Sequence, residues 1–409
     1  MEAPAILNPN TRVAVRRDGE QWRSIFLASP IKGQDLRIKV VNSEDAALFE
    51  AVRRIIQSGE LDEERIARHE ADLTRLGLLI DPREVSRPVV FHCWLAEPEV
   101  GSMGNTLPMA SDMEELVVAS VAVYQPPGAA LPGALAGRIL LEKQFAWGAP
   151  ENWFAPGCGR LWVEDPGTQV LTVFSVPERL EPVIASLRPG EPPPSSLSPE
   201  TRELLRRAAV LIPRPFTARR QEAWEQTIRE AHAAFSSDGF VNVEGLLHPM
   251  QLTALRRYLR EFVAEGHAER TREETVCYAA HNEGICRYLH DQLTGLISRI
   301  VGRQLKPAYT SFRAYQPGAM LVRHLDREPC HYSISLLVDS TPETEERSPW
   351  PLCLEPAARG VVPVFQKRGD GVFFEGIKVP HFRDRLAEGC TSTSVFFEYV
   401  PQEYSGPLR

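Results

Sequence analysis

His324 and Asp326 stand two residues apart in the segment RHLDREPCHYSISLLVD, which spans residues 323–339. From residue 332 onward, apolar side chains recur at every second position, which is the pattern of a β-strand. Because side chains alternate across a strand, residues two apart point to the same side of a sheet. An imidazole and a carboxylate placed in this way are candidates for two ligands of one metal ion.

A third ligand is expected on a facing strand several strands away. His381, in the segment GDGVFFEGIKVPHFRDRL at residues 369–386, meets this condition. Two neutral imidazole nitrogens and one carboxylate would occupy one face of the metal and leave the other face open. This arrangement is the one used by non-haem Fe(II) oxygenases. We therefore predict a metal site formed by His324, Asp326 and His381.

The same spacing can arise by chance, since the chain has ten histidines. Two His-x-Glu pairs also occur, at His267 with Glu269 and at His281 with Glu283. The first pair lies in a highly charged stretch that is typical of a solvated loop. The second opens a helix-like stretch, in which side chains two residues apart diverge. Only the pair at residues 324 and 326 lies where strand geometry brings the two side chains together.

Composition limits the classes of protein to which the chain can belong. The 409 residues are 43% hydrophobic and 24% charged, which predicts a folded, soluble protein with two or three domains. The formal net charge of −8 argues against a nucleic-acid partner and against an anionic membrane. No apolar stretch approaches membrane-spanning length, and the seven cysteines are scattered without a CxxC pair. We expect a cytoplasmic protein with neither nucleic acid nor membrane as a partner.

The elements that must position the three ligands are short strands. From residue 308 onward, alternating segments are broken by proline, glycine and aspartate, which predicts a β-sandwich or barrel. Before them, residues 221–237 have the pattern of a helix. Residues 238–266 predict a short strand, a turn and a helix that begins near His248.

The N-terminal half contains an internal repeat over residues 43–80 and 175–212. Each copy starts with serine, passes through an amphipathic helix to Gly-Glu, and ends with a second helix that closes in Leu-Ile. In the first copy, Ser43 is expected to cap the helix. Strand-like segments precede each helical pair. This matched order predicts a duplicated, winged-helix-like α/β unit, although a plain scaffold or dimerisation domain would show the same pattern.

The C-terminal half resembles the Fe(II)/2-oxoglutarate-dependent oxygenase superfamily, in particular its phytanoyl-CoA-dioxygenase-like branch. Three segments carry the resemblance, which covers roughly residues 218–409: DGFVNVEGLL at 238–247, YQPGAMLVRHLDREPC at 315–330 and GDGVFFEGIKVPHFRDRLAEGCTSTSVFFEYV at 369–400. It implies an α+β fold whose C-terminal part is a double-stranded β-helix (jelly roll) with flanking helices. It also implies that His324, Asp326 and His381 bind Fe(II), with 2-oxoglutarate as co-substrate and O₂ as oxidant.

One feature departs from the superfamily pattern. Many members carry an arginine in a Gly-x-Arg motif beyond the distal histidine, and here GCT at 389–391 puts Thr391 at that position. A buried carboxylate of 2-oxoglutarate still needs a charged partner, for which arginine is best suited. We predict Arg383 for this role, with hydroxyl contacts from Thr391 and Tyr315. Arg385 has the same strand parity and is the alternative, and a surface ion pair is the other interpretation of Arg383.

The N-terminal repeat resembles PqqD-like peptide-recognition modules, which are winged-helix units of peptide-modifying enzymes. We therefore divide the chain into a first winged-helix-like unit at 1–85, a β-rich segment with a second unit at 86–215, and the oxygenase domain at 216–409. The predicted activity is hydroxylation of an unactivated C–H bond on a residue of a peptide or protein. Hydroxylation of a free amino acid or small metabolite is the alternative, with the N-terminal half then used for assembly as a homo-oligomer. A non-catalytic metal-binding sensor is the third interpretation.

Overall fold

The computed structural model describes residues 6–8, 11–19, 21–31, 34–58, 63–80, 90–95, 115–135, 137–138, 154, 157–271, 275–343 and 347–408. Most of the segment 86–158, for which the sequence predicts no motif, lies outside these described residues. The chain is a mixture of helices and antiparallel strands. None of the helices in the described part is both long enough and apolar enough to span a membrane.

The first unit is a three-stranded sheet followed by two helices. Its elements are β1 (Ile6–Leu7), β2 (Arg12–Asp18), β3 (Gln21–Ile31), β4 (Gln34–Val41), α1 (Ala46–Ser58), α2 (Glu63–Arg75) and β5 (Leu79–Ile80). Strands β2, β3 and β4 pair in chain order, and β5 pairs with β1. The stripe of Leu48, Val52 and Ile56 is buried, as its helical spacing predicts. Asp45, and not Ser43, caps α1, because its Oδ1 accepts a hydrogen bond from the Leu48 N–H at 2.9 Å.

The second unit has the same order of elements. It contains β6 (Leu116–Val118), β7 (Ala122–Gln125), β8 (Gly159–Glu164), β9 (Leu171–Val176), α3 (Glu181–Ser186), α4 (Pro199–Arg207) and β10 (Leu211–Pro213). Strands β7, β8 and β9 pair in chain order, and β10 pairs with β6 as β5 pairs with β1. In both copies the Leu-Ile pair that the sequence assigned to a helix end is a short strand instead. It is fully buried in both units because it pairs with the strand that precedes the three-stranded sheet.

The C-terminal part begins with two helices that flank a strand. Its elements are α5 (Phe216–Asp238), β11 (Phe240–Val243), α6 (Pro249–Ala264), β12 (Glu269–Arg270), β13 (Cys277–His281), α7 (Gly284–Val301), β14 (Leu305–Tyr315), β15 (Leu321–His324), β16 (Tyr332–Thr341), β17 (Leu352–Leu354), β18 (Val362–Val364), β19 (Gly371–Phe374), β20 (His381–Arg383) and β21 (Thr391–Pro401). Helix α6 begins where the sequence predicts, and His248 caps it by accepting a hydrogen bond from the Met250 N–H at 3.2 Å. The segment 221–237 lies within α5.

The strands of the C-terminal part form two antiparallel sheets. The seven-stranded sheet has the order β11-β19-β16-β21-β14-β13-β12, and the four-stranded sheet has the order β15-β20-β17-β18. Along β14, Phe312 is fully buried in the large apolar core on the helix side. On the other side of the large sheet, Val372 and Phe374 of β19 share an apolar cluster with Leu352 and Leu354 of β17. The inner face of the large sheet therefore looks towards the small one.

Contacts join the three parts of the chain. Trp162 of the second unit and Phe312 of the C-terminal part belong to one continuous apolar core. The first unit has a separate core, and several of its described residues contact the C-terminal part. Arg17 pairs with Glu328 at 3.1 Å, just beyond Asp326. The Leu408 N–H donates to the Ile56 carbonyl at 3.1 Å.

Candidate metal centre

The small sheet brings the two predicted histidine ligands together. His324 ends β15, His381 begins β20, and the two residues pair directly across the strands. Their ring centroids are 4.3 Å apart. Asp326 follows β15 by two residues, and its Oδ1 lies 3.5 Å from the Nε2 atom of each histidine. The three predicted side chains therefore converge on one point, with one donor atom from each.

The backbone fixes which nitrogen of each histidine is free. The Nδ1 atom of His324 lies 2.7 Å from the Val322 carbonyl oxygen, and that of His381 lies 3.1 Å from the Val379 carbonyl oxygen. A carbonyl can only accept, so both Nδ1 atoms must carry the proton. In the neutral imidazoles, the Nε2 atoms, each 3.5 Å from Asp326 Oδ1, then carry the lone pairs available to a metal. Metal-ligating histidines are held in this way in proteins, so both tautomers suit a metal.

Asp326 is held as an ionised carboxylate. Burial opposes its charge, but hydrogen bonds that the Nε2 atoms of His324 and His381 donate when they are protonated outweigh burial and hold the pKa of Asp326 below its usual range. Its backbone N–H donates to the Gly376 carbonyl at 2.9 Å, and its Oδ2 accepts from the Ser333 hydroxyl at 3.2 Å. Position 376 must be glycine, because a Cβ there would lie 2.3 Å from Asp326 Oδ2 and 2.5 Å from the Cys330 carbonyl oxygen.

A second carboxyl group supports Ser333 from the opposite side. Glu398 is buried, and its Oε2 lies 2.5 Å from Ser333 Oγ. Burial raises the pKa of Glu398 to about 8, and the charge of Asp326 adds to the effect. A protonated Glu398 can donate a hydrogen bond to the Ser333 hydroxyl while that hydroxyl donates to Asp326, so each of the three groups has a hydrogen-bond partner. The chain Glu398–Ser333–Asp326 therefore orients one ligand.

Arg383 is a buried cation without a carboxylate partner among the described residues. It is 1% exposed and ends β20 two residues after His381, so alternation places both side chains on the same side. Nη1 donates to the Trp350 carbonyl at 2.7 Å, and Nη2 donates to Gln366 Oε1 at 3.3 Å. The Nε atom is buried with no hydrogen-bond partner in the described part of the chain. Burial lowers the pKa of Arg383 to about 10, which leaves it charged at neutral pH.

The other predicted binding residues differ in their placement. Tyr315 is 1% exposed and packs edge-on against Trp350, with ring centroids 5.0 Å apart. Thr391 opens β21 opposite Thr341. The next residue, Ser392, pairs with Tyr315 across β14 and β21. By alternation, Ser392 shares the face of Tyr315, and Thr391 lies on the opposite face.

Arg385, the alternative to Arg383, lies outside the interior. Its side chain is exposed, and Nη1 donates to the Gly318 carbonyl at 2.9 Å. The two arginines therefore differ in kind, because Arg385 is solvated and Arg383 is desolvated. Of the two, only Arg383 is in a position to share a buried space with His381.

Several inner-face groups were absent from the sequence prediction. The hydroxyl oxygens of Ser335, Ser392 and Ser394 are buried with no hydrogen-bond partner among the described residues. Ser335 pairs with Phe396, which shares the parity of Ser392 and Ser394, so all three hydroxyls line the inner face. The alternation of serine in TSTS at 391–394 was the available signal. Unpaired buried polar atoms of this kind suit a polar ligand.

Several solved structures are similar to a part of this chain. No protein-family model matches the chain, and no curated protein matches it. A prolyl-4-hydroxylase from Pseudomonas putida is similar in structure, with 20% identity and a TM-score of 0.36 over 42% of this chain and 98% of that chain. A 2OG-Fe(II) oxygenase family oxidoreductase from Burkholderia pseudomallei has 12% identity and a TM-score of 0.36 over 44% and 93% of the two chains. HygX from Streptomyces hygroscopicus, solved with nickel, 2-oxoglutarate and hygromycin B, has 12% identity and a TM-score of 0.36 over 43% and 88%.

Proposed function

We propose that this chain is an Fe(II)/2-oxoglutarate-dependent oxygenase that hydroxylates an unactivated C–H bond. One observation carries the proposal: two histidine Nε2 atoms and an ionised aspartate converge beside a buried arginine that lacks a carboxylate partner. The two facing antiparallel sheets support a double-stranded β-helix, and the sequence resemblance is our reason for proposing the phytanoyl-CoA-dioxygenase-like branch. In this account His324, Asp326 and His381 hold Fe(II).

The residues present fit iron well. Both imidazoles are neutral ligands with fixed tautomers, and Asp326 supplies one negative charge. Three ligands from one side leave coordination positions open for a co-substrate and O₂. His324 is the most accessible of the three, with 38% of its side chain exposed. The open side of the site therefore lies towards the β15 edge of the small sheet.

The residues present also fit 2-oxoglutarate. We assign its distal carboxylate to Arg383, whose Nε needs an acceptor. Tyr315 and the hydroxyl of Ser392 lie on the neighbouring inner face. We put Ser392 in the place predicted for Thr391, because alternation turns Thr391 away from Tyr315. Trp350 stacks 4.8 Å from the Arg383 guanidinium and holds it in position.

When bound, iron and 2-oxoglutarate together supply O₂-dependent hydroxylation, with 2-oxoglutarate converted to succinate and CO₂. The chain's own residues prepare the site for this chemistry. Ser333 and Glu398 fix the orientation of the Asp326 carboxylate, and the carbonyls of Val322 and Val379 fix the imidazoles. Burial of Arg383 and Tyr315 excludes water from the co-substrate end.

We further propose that the substrate is a residue of a peptide or protein, held by the N-terminal half. The two units share one order of sheet, helices and closing strand, which supports a duplicated winged-helix-like module. The first unit reaches the site directly, since Arg17 pairs with Glu328 two residues beyond Asp326. A tethered peptide would then be held at high effective concentration near the metal.

The test is succinate formation from 2-oxoglutarate by protein loaded with Fe(II) without air and then exposed to air. Turnover without a substrate should be visible in the wild type and absent in His324→Ala. Arg383→Met should need much more 2-oxoglutarate, whereas Arg385→Met, the solvated control, should not. A wild type that binds iron and forms no succinate would exclude the proposed activity.

A further inference from the structure

Arg313 lies in the middle of the inner face of the large sheet. On β14 it pairs with Ser394 of β21, whose hydroxyl faces the interior. It shares the parity of Tyr315, while its neighbour Phe312 packs into the helix-side core. Arg313 therefore faces the interior between the two sheets, on the same face as Tyr315 and Ser394.

No hydrogen bond or ion pair engages the Arg313 side chain within the described part of the protein. Other arginines of this region are paired. Arg327 donates to the Tyr309 hydroxyl at 3.2 Å, and Arg256 donates to Asp339 at 2.6 Å. A guanidinium has five N–H donors, and leaving them without acceptors in a partly buried site is costly. An anion that enters the cavity would relieve this cost.

The co-substrate does not supply that anion. In the proposed function, one carboxylate of 2-oxoglutarate lies at the metal and the other at Arg383. Asp326 is a metal ligand, and Glu398, whose carboxyl group is hydrogen-bonded to Ser333, forms neither a hydrogen bond nor an ion pair with Arg313 in the described part of the chain. In the described part of the chain, Arg313 therefore has no ion-pair partner once the metal and the co-substrate are assigned.

We propose that Arg313 binds a carboxylate of the primary substrate and so selects acidic substrates. This inference rests on the proposed function, because it assigns to 2-oxoglutarate the other anion positions of the cavity. Val322 and Leu325, which are 51% and 50% exposed beside His324, offer apolar surface at the rim. The matching substrate has a carboxylate that reaches inward and an apolar portion that stays near the edge of the sheet. Such a carboxylate can come from a free acid or from an acidic side chain of a peptide.

The experiment is calorimetric titration of the full chain, loaded with Fe(II) and 2-oxoglutarate without air. The free-acid arm compares hexanoate with hexanamide. The peptide arm compares an acetylated, amidated alanine pentapeptide with a central glutamate against its glutamine counterpart. In at least one arm the acid should bind about tenfold or more tightly than its amide, as expected for a charge pair in a partly buried site. The arm that responds identifies the source of the carboxylate.

Matched variants test whether Arg313 is responsible for the preference for the acid over the amide. Arg313→Met keeps the side-chain length and removes the charge, so the acid and the amide should bind equally. Arg313→Lys should keep part of the preference, and Arg385→Met should keep all of it. The affinity for 2-oxoglutarate should be unchanged in Arg313→Met, and circular dichroism should show an unchanged fold.

Three results would overturn the inference. The first is that the acid binds no more tightly than the amide in either arm of the wild type. The second is that the preference for the acid survives in Arg313→Met. The third is that Arg313→Met loses affinity for 2-oxoglutarate. The last result would move Arg313 into the co-substrate site. Failure of the proposed function looks different, because the wild-type protein itself would then fail to bind 2-oxoglutarate.

Discussion

Gly376 and Asp326 touch so closely that no side chain fits between them. A Cβ at position 376 would lie 2.3 Å from Asp326 Oδ2, and the Gly376 carbonyl already accepts the Asp326 N–H at 2.9 Å. The segment between β19 and β20, which contains Gly376, therefore sets the position of Asp326, which follows β15. A ligand on one loop depends on a glycine on another.

Gly376→Ala should displace the Asp326 carboxylate and lower Fe(II) affinity by about 10–100-fold, the usual effect of losing the support of a metal ligand. The measurement is Fe(II) titration without air, followed by competition with a chelator. Gly295→Ala in α7 is the matched control, because a Cβ there meets nothing within 4 Å and alanine favours a helix. Equal iron affinity in the two variants would contradict the role given to Gly376.

Ser333 should matter through the orientation of Asp326 and not through its volume. Ser333→Ala removes the hydroxyl between Glu398 and Asp326, leaving a buried carboxyl group without its partner. Iron affinity should fall by about tenfold, and Ser333→Thr should recover part of it. Ser335→Ala is the control on the same strand face, since its hydroxyl has no partner among the described residues. A larger loss from Ser335→Ala would contradict this account.

The sequence was sufficient to predict that His324, Asp326 and His381 lie close together and that Arg383 points into the interior. Alternation within a strand placed Asp326 beside His324 and Arg383 beside His381, and it depends only on local spacing. The sequence prediction gave the hydroxyl contact to Thr391, whereas in the structure Ser392 shares the face of Tyr315. The residue at which β21 starts to pair with β14 cannot be predicted from the sequence of one strand. A shift of one residue moves every side chain to the other face. Arg313 and the Glu398–Ser333–Asp326 chain were not predictable, because they depend on pairing between strands far apart in sequence.

In the N-terminal half, too, the pairing of strands far apart in sequence was not predicted. Matched spacing revealed two copies of one pattern, and the structure gives both copies the same order of elements. The Leu-Ile pair that ends each copy was assigned to a helix, although it pairs with the strand before each sheet. Two residues carry too little periodicity to distinguish a strand from a helix end. Their partners, at residues 6–7 and 116–118, lie far upstream.

His248 should make the protein less stable in acid. Burial lowers the pKa of His248 to about 4, below the ordinary value of 6.5. Between these values the unfolded chain takes up a proton that the folded chain excludes, so stability falls as pH drops from 6.5 towards 4.

His248→Asn removes this group and keeps a side chain that can cap α6. The loss of unfolding free energy between pH about 7 and about 5 should be smaller in the variant by about 2 kcal/mol. Urea unfolding at each pH measures it. The quantity compared is the change of unfolding free energy with pH, so a loss of packing that lowers the stability of the variant equally at every pH does not affect the result. Parallel curves for the two proteins would contradict a buried neutral His248.

Asp339 should be a main attachment of α6 to the large sheet. It is 6% exposed on β16, and it accepts hydrogen bonds at 2.6 Å from both Arg256 and Arg260 of α6. Asp339→Asn should lower the free energy of unfolding by about 2 kcal/mol, because it removes the charge that both guanidinium groups face. Urea unfolding tests this value. Glu343→Gln, at an exposed pair with Arg256, should cost less than about 1 kcal/mol, and a reversed order would contradict the assignment.

The most direct test of the central claim is optical titration of the Fe(II) protein with 2-oxoglutarate in the absence of air. The account predicts a visible metal-to-ligand charge-transfer band that saturates with one 2-oxoglutarate per chain. The band should be absent in His381→Ala, and in Arg383→Met it should appear only at much higher 2-oxoglutarate concentrations. A wild type that binds iron at His324, Asp326 and His381 and shows no such band would contradict the assignment of this site to 2-oxoglutarate.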